Sequence, residues 1–371
     1  VKELSILIVG AGIGGLTSAI ALRQRGFKVH LIEKDPAWSV YGVGIIQQGN
    51  VLRAIDQLGV LDHYVDAGAG FDAVEVFAPN GQRVARVPSP RLLPDHPANL
   101  GISRRRLQDV LGKAALGAGA TLQLGLTVET LQDDGDSVQV RFSDGSEGRY
   151  DLVVGADGVH SQIRGMVLPE APKAQFTGQS VWRCNLPALP GLDALQAYNG
   201  PIGAGLVPIG SGLMYMFLTT PEPDNPRYPR EGLAARMREK AAACAPAIRE
   251  LAEQITDDDA VVYRPLEWVF VEGPWHRGRV LLLGDAVHAT TPHLGQGAGM
   301  AIEDSLVLAE ELQRHDAIED ALQAWRKRRH ARCEYIVRSS LAICLGQLGK
   351  GPAVDNARAT AEMFALTAQP I

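Results

Sequence analysis

Three groups of glycines and charged residues, far apart in the chain, carry its most legible chemistry. Gly10-Ala11-Gly12-Ile13-Gly14-Gly15 follows an apolar run from Leu4 to Val9. Gly155-Ala156-Asp157-Gly158 precedes Ser161 and Arg164. Leu281-Leu282-Leu283-Gly284-Asp285 leads on to Pro292 and then to Gly295-Gln296-Gly297-Ala298-Gly299. The first group suits a pyrophosphate. Gly10 permits a tight turn, Gly12 lets the backbone approach the phosphates, and Gly15 lets a helix pack closely on its strand. The N–H groups and dipole of a helix expected over about 14–25 would hold the negative charge. A second strand, 28–32, ends at Glu33, 18 residues after Gly15. A carboxylate there can accept from a ribose hydroxyl pair, and it weighs against a ribose 2′-phosphate. Asp285, at the end of an apolar strand, is suited to accept hydroxyl hydrogen bonds.

Positioning these groups requires a β/α framework. Residues 1–70 read as strand, helix, strand, a loop Gly42-Val43-Gly44-Ile45, and a helix carrying Leu52, Ile55 and Leu58. After a Pro-rich stretch, Pro79 to Pro97, a helix opens near Arg104 with its apolar face at Leu107, Val110, Leu111 and Ala114. Val138–Phe142 and 150–154 flank Ser143-Asp144-Gly145-Ser146 and read as a hairpin. From about 171 the texture turns to aromatic-rich strands such as 214–219. A buried strand returns at 279–284, followed by helices at about 297–314 and 319–345. The expected fold is α/β: a Rossmann-like unit from 1–70, 101–170 and 271–340, with a mostly antiparallel substrate-binding sheet from 71–100 and 171–270. Residues 341–371 would form a C-terminal helical extension. The inserted sheet would wall a cleft between the units, a usual place for ligands.

Composition narrows the class. At 371 residues, with 46% hydrophobic and 21% charged residues, the chain has ample material for two interleaved units. A net charge of −6 gives no basic footprint for nucleic acid, and no apolar run approaches the roughly 20 residues of a membrane span. Val1-Lys2-Glu3 reads as leading straight into a strand, so no signal peptide is expected. Cys184, Cys244, Cys333 and Cys344 lack C-x-x-C spacing. Reduced thiols, a cytoplasmic setting and no metal site are expected.

Taken together and in this order, the three groups point to a flavin, and the chain resembles the single-component FAD-dependent aromatic hydroxylases, the group that includes 4-hydroxybenzoate and salicylate hydroxylases. The resemblance covers about residues 4–340. It implies that Asp157-Gly158, with Ser161 and Arg164, serves both FAD and a reduced nicotinamide. It also implies that Asp285, in Gly284-Asp285-Ala286-Val287-His288, holds ribityl or ribose hydroxyls. Pro292, Gly295, Gly297 and Ala298 would lie under the isoalloxazine ring. Gly44 lies in the cofactor-side loop, Arg104 would contact the cofactor, and the Val128 backbone would read adenine. A helix beginning near Gly297 would aim N–H groups at the flavin pyrimidine edge, where negative charge grows on reduction. The family often shows Pro-Asn where this chain has Gly49-Asn50, which bears on the local shape of the site. The chain continues only briefly past the second C-terminal helix, so the thioredoxin-like domain of larger phenol hydroxylase relatives is not expected.

The implied reaction uses NAD(P)H to reduce FAD and dioxygen to hydroxylate a small aromatic or heteroaromatic substrate through a flavin hydroperoxide. The cofactor supplies the reactivity while the protein orients the ring. Tyr215, in a strand that would face the flavin, could hydrogen-bond a substrate hydroxyl, or could simply pack in the sheet. His293, beside Pro292, could relay a proton, or be a polar loop residue. Arg183 could meet a substrate anion, although a structural ion pair is the favoured reading. His288 reads as packing. The partners expected are a small aromatic compound and dioxygen, with the protein a monomer or homodimer. The alternative is a flavin oxidoreductase of the same fold acting on a non-aromatic or antibiotic substrate, or one inserting no oxygen. The absence of a Trp-x-Trp-x-Ile-Pro motif argues against the tryptophan-halogenase branch of the fold.

Overall fold

A six-stranded sheet brings the three glycine groups side by side. The structure, a computed structural model, describes residues 3–200 and 202–371; Val1 and Lys2, read above as leading into a strand, lie outside the described residues. The strands run in the order His276–Arg277, Val280–Leu282, Leu152–Gly155, Ser5–Val9, Lys28–Glu33 and Thr121–Leu124. All neighbours are parallel except His276–Arg277 against Val280–Leu282. Strands covered on both faces must be apolar throughout. Ile6, Leu7, Ile8, Leu152, Val153, Val154, Leu281 and Leu282 are accordingly buried. Three of these parallel strands end in the three glycine groups, so the groups share one edge. That edge lies where the strand order reverses about Ser5–Val9, the usual place for a ligand in such sheets.

The helix Ile13–Gln24 crosses the helix Gly297–Arg314 closely enough for Thr17 and Ser18 hydroxyls to bond Ser305 at 2.8 and 2.9 Å. A seven-stranded sheet forms the second layer, in the order Val262–Trp268, Gln175–Pro187, Leu213–Pro221, Gly203–Gly210, Leu195–Tyr198, Ala73–Phe77 and Arg83–Pro88. It is antiparallel except where Leu195–Tyr198 meets Ala73–Phe77. A small sheet of Gly44–Gln48, Asn99–Ser103 and Ala69–Phe71 lies between the layers. The architecture is therefore the expected α/β one, with an inserted antiparallel sheet and C-terminal helices.

Local boundaries differ in two places. Val138–Phe142 pairs with Glu147–Tyr150, not with 150–154; after Asp151 the chain turns into the main sheet. The line drawn at 340 falls inside one unbroken helix, Ile318–Gln347, because its buried stripe continues through Ser340, Ile343 and Cys344. A third helix, Asn356–Ala368, then docks through Ala359, Met363 and Thr367.

Candidate active site

A cleft of about 500 Å³ opens between the parallel-strand edge and the seven-stranded sheet. Its floor contains Gly12, Ile13, Gly14, Ala156, Gly158, Gly284 and Asp285, drawn from all three groups. Pro292, Gly295, Gly297 and Ala298 form one side, and Gly44, Arg104, Arg183 and Tyr215 another. Gly10 shapes the floor from beneath: its φ is +104°, and a Cβ there would come within 2.5 Å of the Ala156 carbonyl oxygen. Gly44 is required by close approach, since a Cβ would overlap the Tyr215 ring. That contact leaves the tyrosine no room to swing toward the small sheet.

The side chains of Arg104, Arg183 and Tyr215, over the cleft, have no hydrogen-bond or ion-pair partner among the described residues. Tyr215 is buried, and burial pushes its phenol up to about 12 against the pull of the Arg183 and Arg104 charges. Arg183 is brought down to about 10 by burial and then by the neighbouring charge of Arg104. Burial also lowers Arg104, while Tyr215 and Asp285 oppose that shift. Among the described residues, no carboxylate pairs with Arg183, so the ion pair favoured from sequence is not formed. Its register explains this. Arg183 faces Phe217 on one neighbouring strand and Val262 on the other, neither of them acidic. Two guanidiniums beside one neutral phenol make a place for an anionic oxygen. At the cleft mouth, Arg264 stacks over the Tyr41 ring at 4.3 Å.

Other residues singled out in the sequence lie away from the cleft wall. The Glu33 carboxylate accepts from the N–H groups of Ala11 and Asp35, both at 3.0 Å. Gly15 packs against the Gly10 carbonyl. Val128 is buried at the start of the strand Val128–Asp133. The Asp157 carboxylate accepts from Ser161 Oγ and from the N–H groups of Gln162 and Ile163, and so caps the helix Gln162–Val167. Arg164 donates to Ala286 O at 2.8 Å, tying the second glycine group to the third. His293 turns from the cleft. Its Nδ1 lies 3.0 Å from Thr291 Oγ1 and its Nε2 3.1 Å from Gln347 Oε1, and burial brings it down to about 4. Both ring nitrogens are engaged, which leaves it no free position from which to relay a proton. His288 is fully buried against Asp304 at 2.6 Å.

Gln108, Arg264, Thr290 and Thr291 also line the cleft wall, and no spacing in the sequence gives a signal for them. In the sequence Asn50 stands out only as a departure. Asn50 is buried and bonds Gln296 in both directions, at 3.0 and 2.9 Å. A polar residue among Val51, Leu52 and Ile55 was the available clue.

The residues present fit FAD. Among the described residues, no acceptor meets the N–H groups of Ile13 and Gly14 at the start of their helix, and no side chain caps it. A Cβ on Gly12 would meet nothing within 4 Å, so the space above it is open for phosphates. Asp285 is exposed to the cleft without a hydrogen-bond donor, and the N–H groups of Gly297 and Ala298 begin a helix with no side-chain cap. Residues 3–340 match a family model described as FAD binding domain. The chain is 34% identical over 351 residues to the aurachin C monooxygenase/isomerase of Stigmatella aurantiaca, covering 94% of this chain and 90% of that protein. It is 31% identical over 358 residues to the 2-heptyl-3-hydroxy-4(1H)-quinolone synthase of Pseudomonas aeruginosa, covering 94% and 90%. The structure of Klebsiella pneumoniae HpxO complexed with FAD and uric acid superposes with a TM-score of 0.83 at 26% identity, covering 98% of this chain and 92% of that one. The chain thus belongs to the FAD binding domain family and is an FAD-dependent monooxygenase.

Proposed function

We propose that the protein hydroxylates a small aromatic or heteroaromatic compound bearing an acidic hydroxyl or ring N–H, using NAD(P)H and dioxygen with FAD in the cleft. The observation that carries this reading is the unpaired cluster of Arg104, Arg183 and Tyr215 above the glycine-lined floor. Bound FAD supplies hydride acceptance and the activation of dioxygen. The Ile13 and Gly14 N–H groups would hold its pyrophosphate, Asp285 its hydroxyl-bearing chain, and Gly297 and Ala298 its ring edge. Arg104, between Tyr215 and Asp285, bridges the cofactor side and the substrate side.

Arg183 then holds the ionised oxygen of the substrate, and Tyr215 donates its phenol proton as a hydrogen bond to the same atom. A phenol held near 12 stays protonated at neutral pH and can act as this donor. Charge-assisted bonds of this kind favour the ionised, electron-rich form of the ring, the form open to electrophilic oxygen. Val181, Leu266 and Ile46 provide apolar wall on which such a ring can lie. Quinolone and uric acid, in the names of two similar proteins, are nitrogen heterocycles with oxygens attached to ring carbons, and this supports the assignment. Four buried free cysteines support a reducing, cytoplasmic setting, and among the described residues no helix is long and apolar enough to cross a membrane.

The reading is tested by screening hydroxylated quinolones, pyridines, benzoates and purines for stimulated NAD(P)H oxidation with matching dioxygen uptake. Stimulation confined to compounds with an ionisable ring substituent is expected. Equal stimulation by neutral, non-ionisable rings would contradict it.

A further inference from the structure

Beneath the cleft lies a buried set of charges that touches no ligand-facing surface. Glu303 and Asp304 are adjacent on the helix Gly297–Arg314, and Arg329 and Arg332 lie on the helix Ile318–Gln347; all four are at most 7% exposed. Arg329 Nε donates to Asp304 Oδ1 at 2.8 Å, and its Nη1 lies 2.8 Å from Glu303 Oε2 as an ion pair outside hydrogen-bond angles. Arg332 Nη1 donates to both Glu303 oxygens at 3.2 Å. The two carboxylates and two guanidiniums balance.

From Arg329 two chains of contacts lead to the floor of the cleft and to one of its sides. The first passes through Asp304, whose Oδ2 accepts from the Gly284 N–H at 3.2 Å and faces His288 Nε2 at 2.6 Å. Gly284 is the turn that sets Asp285 into the cleft. The second passes through Glu303, whose Oε1 accepts from Asn50 Nδ2 at 3.0 Å. Asn50 Oδ1 in turn accepts from Gln296 Nε2 at 2.9 Å. Gln296 begins the helix that carries Gly297 and Ala298, and its amide also reaches Gln48 Oε1.

Buried ion pairs are poor sources of net stability, because desolvation offsets most of their attraction, and a well-packed apolar cluster is often as stable. What an apolar cluster could not do is fix two backbone segments, 284–285 and 296–298, relative to each other. The planar guanidinium is suited to this, since its Nε bonds Asp304 while its Nη1 lies against Glu303 as an ion pair, a span that the point charge of an ammonium lacks. We propose that Arg329 is a positioning residue that couples the floor and one side of the flavin cradle, through Asp304 to Gly284-Asp285 and through Glu303 and Asn50 to Gln296. The inference rests on FAD occupying the cleft as proposed above.

The test compares holoenzymes of the parent chain, R329K, N50S and D285A. FAD release after dilution is followed by the rise in flavin fluorescence, and the midpoint potential of the bound flavin is measured. R329K keeps the charge and loses the fork; N50S cuts only the second path. Release should quicken about 10-fold or more in both, corresponding to about 1.4 kcal/mol. The potential should shift negative, since misplaced N–H groups stabilise the reduced ring less. A purely structural role would lower unfolding resistance and leave the potential of the bound flavin unchanged. Release and potential both within twofold and within error of the parent, in whichever of R329K and N50S retains the fold, would overturn the coupling. D285A separates the two levels: faster release in D285A alone refutes the Arg329 coupling, and unchanged release in D285A refutes the cleft placement itself.

Discussion

His293 offers a sharp pH test of how the cofactor loop is held. Gln347 Oε1 can only accept, and it also takes a bond from Gln179 Nε2 at 3.1 Å. His293 Nε2 must therefore carry the proton, leaving Nδ1 to accept from the Thr291 hydroxyl. Burial of this neutral ring brings its pKa from 6.5 to about 4. The folded state thus binds the proton more weakly than the unfolded chain. Stability from this group is fully present above about pH 6.5 and is lost as the pH falls through 6.5 towards 4. The whole contribution is about 3 kcal/mol, and about 2 kcal/mol of it disappears between about pH 7.5 and about pH 5. In His293→Gln the carboxamide can make both bonds without titrating. Urea unfolding of the parent and of His293→Gln at these two pH values cancels the carboxylate titrations common to both. The parent should lose about 2 kcal/mol more than the variant. Equal losses would show that His293 titrates as it would in water, returning it to consideration as a proton relay.

Three further outcomes concern the cleft. In Gly12→Val the added carbons meet open space, so the protein should fold, but FAD affinity should fall by about 10²-fold or more as the pyrophosphate approach is blocked; flavin content on purification reads this directly. Tyr215→Phe should keep FAD and basal NAD(P)H oxidation, lower hydroxylation by about 10²-fold, and raise hydrogen peroxide release, as measured by product and peroxide assays. Arg183→Met should raise KM for an ionisable substrate by roughly 10- to 10²-fold, the equivalent of one charge-assisted hydrogen bond of about 1.5–3 kcal/mol, with little effect on FAD retention.

The parts legible in the sequence are those where chemistry acts through the backbone. A pyrophosphate needs exposed N–H groups and glycines after an apolar strand, so Gly10 to Gly15 and the floor they form can be read directly. Parallel strands such as 152–155 and 280–282 betray themselves by continuous apolar runs. What could not be read depends on register and on distant partners. Arg183 lacks a counter-ion because Phe217 and Val262 happen to oppose it, and His293 is engaged by Gln347, 54 residues away. Asn50 and Glu303 meet only because two helices from opposite ends of the chain cross under the cleft. The hairpin boundary failed for a related reason: Tyr150 and Leu152 are both apolar, and only the sheet each joins distinguishes them.

Oxygen insertion by this flavoprotein is tested most directly by turnover of a stimulating aromatic substrate under heavy-isotope dioxygen, with the product mass and NAD(P)H consumption followed together. The expected result is a ring-hydroxylated product carrying one heavy oxygen atom for each nicotinamide oxidised, made by the protein and FAD without an added reductase. A product whose new oxygen comes from water, or one dehydrogenated with no oxygen gained, would contradict it.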